Sequence, residues 1–101
     1  MIHLHLTKYW FNKIKSGEKK SEFRPVIYFY ENLIHNEMKK INPSIKFYLG
    51  YPYKNDNDKT IIKYIDDISI VFFKDLPDNE KKFFSNQNYR DVFYKIDFIN
   101  K

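Results

Sequence analysis

Within the first sixteen residues the hydrophobic period changes from two to between three and four. That change prescribes a strand running directly into a helix. Residues 2–6, Ile-His-Leu-His-Leu, alternate strictly and place Ile2, Leu4 and Leu6 on one face. Thr7 is suited to cap the helix that follows, Lys-Tyr-Trp-Phe-Asn-Lys-Ile-Lys. Leu6 and Phe11 have the spacing of a hydrophobic staple around that cap. Trp10, Phe11 and Ile14 then make the buried stripe, and Lys8, Lys13 and Lys15 remain in water. Gly17 stands where the left-handed residue that ends a helix is expected.

The same reading extends along the chain. A second strand is predicted from about Lys20 to Arg24, stopped by Pro25. A helix is predicted over Val26 to Ile41, with Tyr30, Leu33, Ile34, Met38 and Ile41 as its apolar positions and Asn42-Pro43 as its end. Ile45 to Tyr51 reads as a strand and Tyr-Pro-Tyr-Lys-Asn-Asp-Asn-Asp as a polar turn. Thr60 to Phe73 is β-rich, either one long bent strand or two strands around Asp66-Asp67. Pro77 to Phe84 is a short helix, and Val92 to Ile99 alternates as a last strand. The order predicts one α+β domain over residues 1–101, a partly closed β-barrel of five to six strands with two main helices and one short helix.

Composition limits the chemistry. Apolar residues make up 43% and aromatics 20%, enough for a folded core in a chain of 101 residues. There is no cysteine, which removes disulfides, thiolate nucleophiles and cysteine-based zinc sites together. No apolar run reaches the roughly 18 residues of a spanning helix. The N-terminus also lacks a signal-peptide layout, so a soluble cytoplasmic protein without membrane contact is expected. The net charge of +5 suits a polyanionic partner. Sixteen Lys against two Arg, ten Asn and no Ala, however, have the look of an AT-rich coding background. Against that background the two arginines carry more information than the lysines, since only Arg offers a rigid bidentate fork.

The stretch from Lys8 to Arg24 ends in Gly-Glu-Lys-Lys-Ser-Glu-Phe-Arg. It resembles the start of an ASCH domain, a family of the PUA-like superfamily whose signature is G-x-K-x-x-E-x-R. Gly17, Lys19, Glu22 and Arg24 meet that signature, directly after an amphipathic helix. The aromatic pair Phe29-Tyr30 and the strand end Leu-Gly-Tyr-Pro-Tyr-Lys-Asn also sit where small bacterial and phage members carry comparable features. The resemblance implies a PUA-like barrel with a cleft near the signature, binding RNA, single-stranded nucleic acid or nucleotides.

Strand alternation puts Glu22 and Arg24 on one face and turns Phe23 the other way, into the core. Arg24 can make paired hydrogen bonds to a phosphate or a base edge, Lys19 supplies a mobile point charge, and Glu22 can orient both or accept a proton. Among residues able to stack on a base (Tyr9, Tyr28, Tyr30, Tyr51 and Tyr53), Tyr51 is the best placed, beside the polar turn. Tyr30 and Lys54 complete the expected ligand-binding set. No metal or cofactor is expected. His3 and His5 share a strand face but have no third ligand nearby, and Asn55 to Asp58 lack the glycine and glutamate of a calcium loop. Ser21 and Ser85 have no histidine near them in sequence.

The leading expectation is therefore a nucleotide- or RNA-binding module using a basic cleft. An alternative is a metal-independent hydrolase. Some short ASCH proteins cleave acylated nucleosides such as N4-acetylcytidine with a threonine nucleophile at the position of Glu22, and other members are described as ribonucleases. Here Lys19 and Glu22 would be the acid-base groups. A protein-interaction scaffold is the third alternative.

Overall fold

The computed structural model describes residues 1–50, 57–85 and 91–99. In chain order the elements are β1 (Ile2–Leu6), α1 (Lys8–Lys15), β2 (Ser21–Pro25), α2 (Tyr28–Met38), β3 (Ser44–Leu49), β4 (Thr60–Phe72), α3 (Asp78–Phe84) and β5 (Val92–Phe98). Short 3-10 turns, Asn57–Lys59 and Phe73–Asp75, flank β4. The five strands form one curled half-barrel in the order β1-β3-β4-β5-β2, as the α+β reading anticipated. β1 runs parallel to β3, and every other pairing is antiparallel.

β4 makes the curl. It is a single strand of 13 residues whose first half pairs with β3 and whose second half pairs with β5. The register shifts between Ile65 and Asp67, and such a bulge bends and twists a strand. Of the two arrangements open in the sequence, the long bent strand is the one adopted. Because β1 and β2 are the two ends of the sheet and do not pair, the barrel has an open seam between them.

Two apolar clusters flank the sheet. The larger gathers Ile2, Leu4, Leu6, Phe11, Ile14 and Phe47 among others, inside the curl. The smaller holds Phe23, Leu76, Phe84 and Phe93 and fastens α3 to the other face. α1 follows its sequence closely, with Trp10, Phe11 and Ile14 buried and Gly17 at φ 85°. Thr7 is extended at the cap position but its hydroxyl makes no capping bond; its carbonyl accepts from the Phe11 N–H.

α2 is shorter than predicted at both ends. Val26 remains extended because its N–H donates to the Val92 carbonyl, prolonging the β2 ladder. At the other end, the buried Glu37 carboxylate accepts from the Ser44 N–H (3.0 Å) and pairs with the Met1 ammonium (2.6 Å). The chain is thereby turned toward β3, and Ile41, expected on the apolar stripe, is 96% exposed. Met38 is exposed as well; of that stripe only Ile34 is buried, with Tyr30 and Leu33 packed against the core. Among the described residues no helix is long and apolar enough to cross a membrane.

Candidate functional site

The site lies in the seam. Lys19 occupies the turn between α1 and β2, and its position is set by Gly17, whose left-handed backbone ends α1, and by a bond from the Lys19 N–H to the Lys13 carbonyl (3.0 Å). Glu22 and Arg24 follow on β2, opposite Ile96 and Tyr94 of β5. Ile96 belongs to the larger cluster and Tyr94 packs against it. The two charged side chains therefore point into the curl, and Phe23 turns the other way into buried apolar packing, as strand alternation predicted. Phe23 enters the smaller cluster beneath α3. The sheet thus has apolar packing on both faces, and alternation alone does not say which face holds the larger cluster.

Glu22 is the centre of the charge network and is 3% exposed. Its Oε1 lies 2.8 Å from Lys19 Nζ and accepts from the Phe23 N–H at 3.1 Å. Its Oε2 accepts from Arg24 Nη2 at 2.9 Å. Arg24 Nη1 donates to the Tyr30 hydroxyl on the first turn of α2 at 3.0 Å. Arg24 Nε is buried with no hydrogen-bond partner among the described residues. Lys19, Glu22, Arg24 and Tyr30 are thus brought together as a continuous chain. Tyr51 and Lys54, and with them Tyr53, lie outside the described residues.

A second carboxylate completes the network. Glu80 of α3, 3% exposed, sits 2.6 Å from Lys19 Nζ. The Lys19 ammonium also lies 4.2 Å from the centroid of the Trp10 ring, a cation–π contact. Two cations therefore face two buried carboxylates, so among the described residues the cleft is charge-balanced where a net basic one was expected. Burial alone would push the Glu22 carboxyl up, but Arg24 and Lys19 outweigh it and hold it below the usual carboxylate range. For Glu80 burial wins over the pull of Lys19, and its carboxyl is pushed above that range. Glu80 carried no local signal: within Asp-Asn-Glu-Lys-Lys it reads as solvated surface. The one hint is its i, i+4 relation to Phe84, which turns both toward the sheet.

Around these groups is a cavity of about 240 Å³, open to solvent. His5 and Leu6 come from one edge of the seam and Glu22 to Pro25 from the other, with Trp10, Phe83 and Phe84 as aromatic walls. The volume is below the roughly 300–1,000 Å³ of pockets for drug-sized ligands, and suits a group the size of a base or nucleoside. His3 and His5 are hydrogen-bonded outside the core: His3 Nδ1 is 2.7 Å from the Tyr48 hydroxyl, and His5 Nδ1 is 2.6 Å from the Gly50 carbonyl oxygen. No cluster of three or more metal-ligating side chains occurs among the described residues. Comparison with protein-family models, with curated proteins and with solved structures finds no match for this chain.

Proposed function

We propose that this chain is an ASCH-like domain that binds RNA or a nucleotide, taking a base or nucleoside into the seam between β1 and β2. The observation that carries the reading is the convergence of Lys19, Glu22 and Arg24 on an open, aromatic-walled cavity. Two Arg24 nitrogens are held by Glu22 and Tyr30, which fixes the plane of the guanidinium at the cavity wall. Charge balance within the cavity favours a polar, uncharged group such as a base edge over a bare phosphate. Trp10 and Phe83 supply apolar surface against which a ring can lie. The test is titration with nucleotides and short single-stranded RNAs at two salt concentrations, comparing wild type with Arg24→Ala. Loss of binding in the variant supports the reading; equal weak binding by both proteins overturns it.

The Lys19–Glu80 pair favours a second reading, hydrolysis of an acylated nucleoside. Glu22 is held by three donors and kept ionised, which makes it a poor base. Glu80, with its carboxyl pushed up beside Lys19, is the better acid-base group in that reading. Incubation with N4-acetylcytidine decides: release of acetate that disappears in Lys19→Ala and Glu80→Gln supports it, and no turnover by the wild type excludes it.

A further inference from the structure

Beside the seam cavity lies a second one, of about 380 Å³. The two share a wall made by Trp10, Lys19, Phe23 and Glu80. Their charges differ. In the seam, Lys19 and Arg24 are balanced by Glu22 and Glu80. Among the described residues, the second cavity is lined by Lys13, Lys19, Lys20 and Lys95 against Glu18 and Glu80. Lys13 is paired with Glu18 at 2.7 Å and Lys19 with Glu80 at 2.6 Å. Lys20 and Lys95 are the surplus.

Of the two, Lys20 is unpaired among the described residues and Lys95 has a long pairing alone. Lys20 is exposed and makes no ion pair among the described residues. Among the described residues Lys95 reaches Asp97 alone, at 3.7 Å, and that carboxylate already accepts a hydrogen bond from the Ser21 hydroxyl. Lys20 immediately precedes β2, and Lys95 stands on β5 opposite Phe23, whose ring forms part of the shared wall. The two lysines therefore line one cavity next to the place where a base would sit.

We infer that this second cavity is a phosphate subsite, and that the ligand is a nucleotide bearing a terminal phosphomonoester. The inference rests on the seam as the base-binding cleft. A phosphomonoester carries a charge of about −1.5 to −2 near pH 7, which matches the surplus of two lysines; an internal phosphodiester carries half of that. Lysine binds phosphate as a point charge and needs no fixed fork, so two flexible side chains at the rim suffice. A ligand spanning both cavities crosses the Lys19–Glu80 pair, and the Lys19 ammonium then faces both of its parts. The same phosphomonoester chemistry is available on a free mononucleotide and on the 5′ end of an RNA.

Trp10 is the single tryptophan of the chain and belongs to the shared wall, so its fluorescence reports occupancy of either cavity. The experiment titrates the four common ribonucleosides, their 5′-monophosphates, and a short oligoribonucleotide with and without a 5′-phosphate. The proteins are wild type, Lys20→Gln/Lys95→Gln and Arg24→Ala, with folding checked by circular dichroism. The expected result is that monophosphates bind roughly tenfold or more tighter than nucleosides. That gap closes in the double lysine variant while nucleoside affinity holds. Preference for the 5′-phosphorylated oligonucleotide assigns the phosphate to an RNA end, and preference for the monophosphates assigns it to a free nucleotide. Equal affinity for nucleosides and monophosphates, both lost in Arg24→Ala, overturns the phosphate subsite and leaves the cleft standing. A gap that persists in the double variant overturns its placement at Lys20 and Lys95. Absence of binding by every probe to the wild type overturns subsite and cleft together.

Discussion

The Lys19 ammonium and the Glu80 carboxylate meet at 2.6 Å, though 61 positions separate them in the chain. This contact joins the turn after α1 to α3 across the mouth of the seam, and couples the stability of the fold to the state of the cleft. Replacing Lys19 by Met removes the cation from two buried carboxylates. Glu22 keeps Arg24, but Glu80 loses its ion-pair partner. A loss of about 3 kcal/mol is expected at neutral pH, measured by urea denaturation, with Glu80→Gln in the Lys19→Met background restoring part of it.

The two glutamates of the site give stability opposite dependences on pH. The Glu22 carboxyl is held below its ordinary value, so its contribution is fully present above the unfolded-state pKa and fades as pH falls through the lowered one. The Glu80 carboxyl is raised, so its contribution is greatest below the unfolded-state value and fades as pH rises through the raised one. Relative to wild type, Glu80→Gln therefore gains stability as pH rises above about 4.5, the ordinary glutamate value. Glu22→Gln loses stability over the window ending there. Denaturation curves at a series of pH values check both slopes, and parallel curves for the two variants would contradict the assignment.

Tyr30 is a positioning residue for Arg24. Tyr30→Phe removes the oxygen that accepts from Arg24 Nη1 and keeps the ring that lies 5.4 Å from the guanidinium carbon. The expected cost is about 1 kcal/mol of stability, with ligand affinity falling by a similar factor and the selectivity among bases changed. Calorimetric titration across the four nucleotides reads the selectivity.

Glu37 anchors the chain away from the cleft. Glu37→Ala leaves the buried Ser44 N–H without its acceptor and the Met1 ammonium without its partner. A loss of about 2 kcal/mol is expected, with ligand affinity unchanged. That result would separate damage to the fold from damage to the site.

Most of the architecture was legible in the sequence, because it is written in local periodicity. The alternation of Ile2 to Leu6, the stripe of Trp10, Phe11 and Ile14, and Gly17 at the helix end each follow from neighbours a few residues apart. The limits of α2 were not legible, since they depend on Val92 and Glu37 making contacts that no window of sequence displays. The site divides in the same way. Lys19, Glu22 and Arg24 were found because they fall within one turn and strand, and Tyr30 lies six residues beyond. Glu80 was missed because a carboxylate in a charged helix is ordinarily solvated, and only the packing of Phe84 against Phe93 brings it inward.

The central claim is that a nucleotide occupies the seam against Arg24. The side chain offers a direct probe, because its Nε–H is buried and has no partner among the described residues, and the chain has only one other arginine, Arg90. A nitrogen-15 NMR spectrum of the arginine Nε–H groups therefore holds two side-chain signals, assigned by Arg24→Lys. Titration with a ribonucleoside 5′-monophosphate is predicted to shift the Arg24 signal progressively to saturation, in step with the change in Trp10 fluorescence. An Arg24 signal that stays fixed while nucleotide is bound elsewhere, or while none is bound at all, would contradict the account.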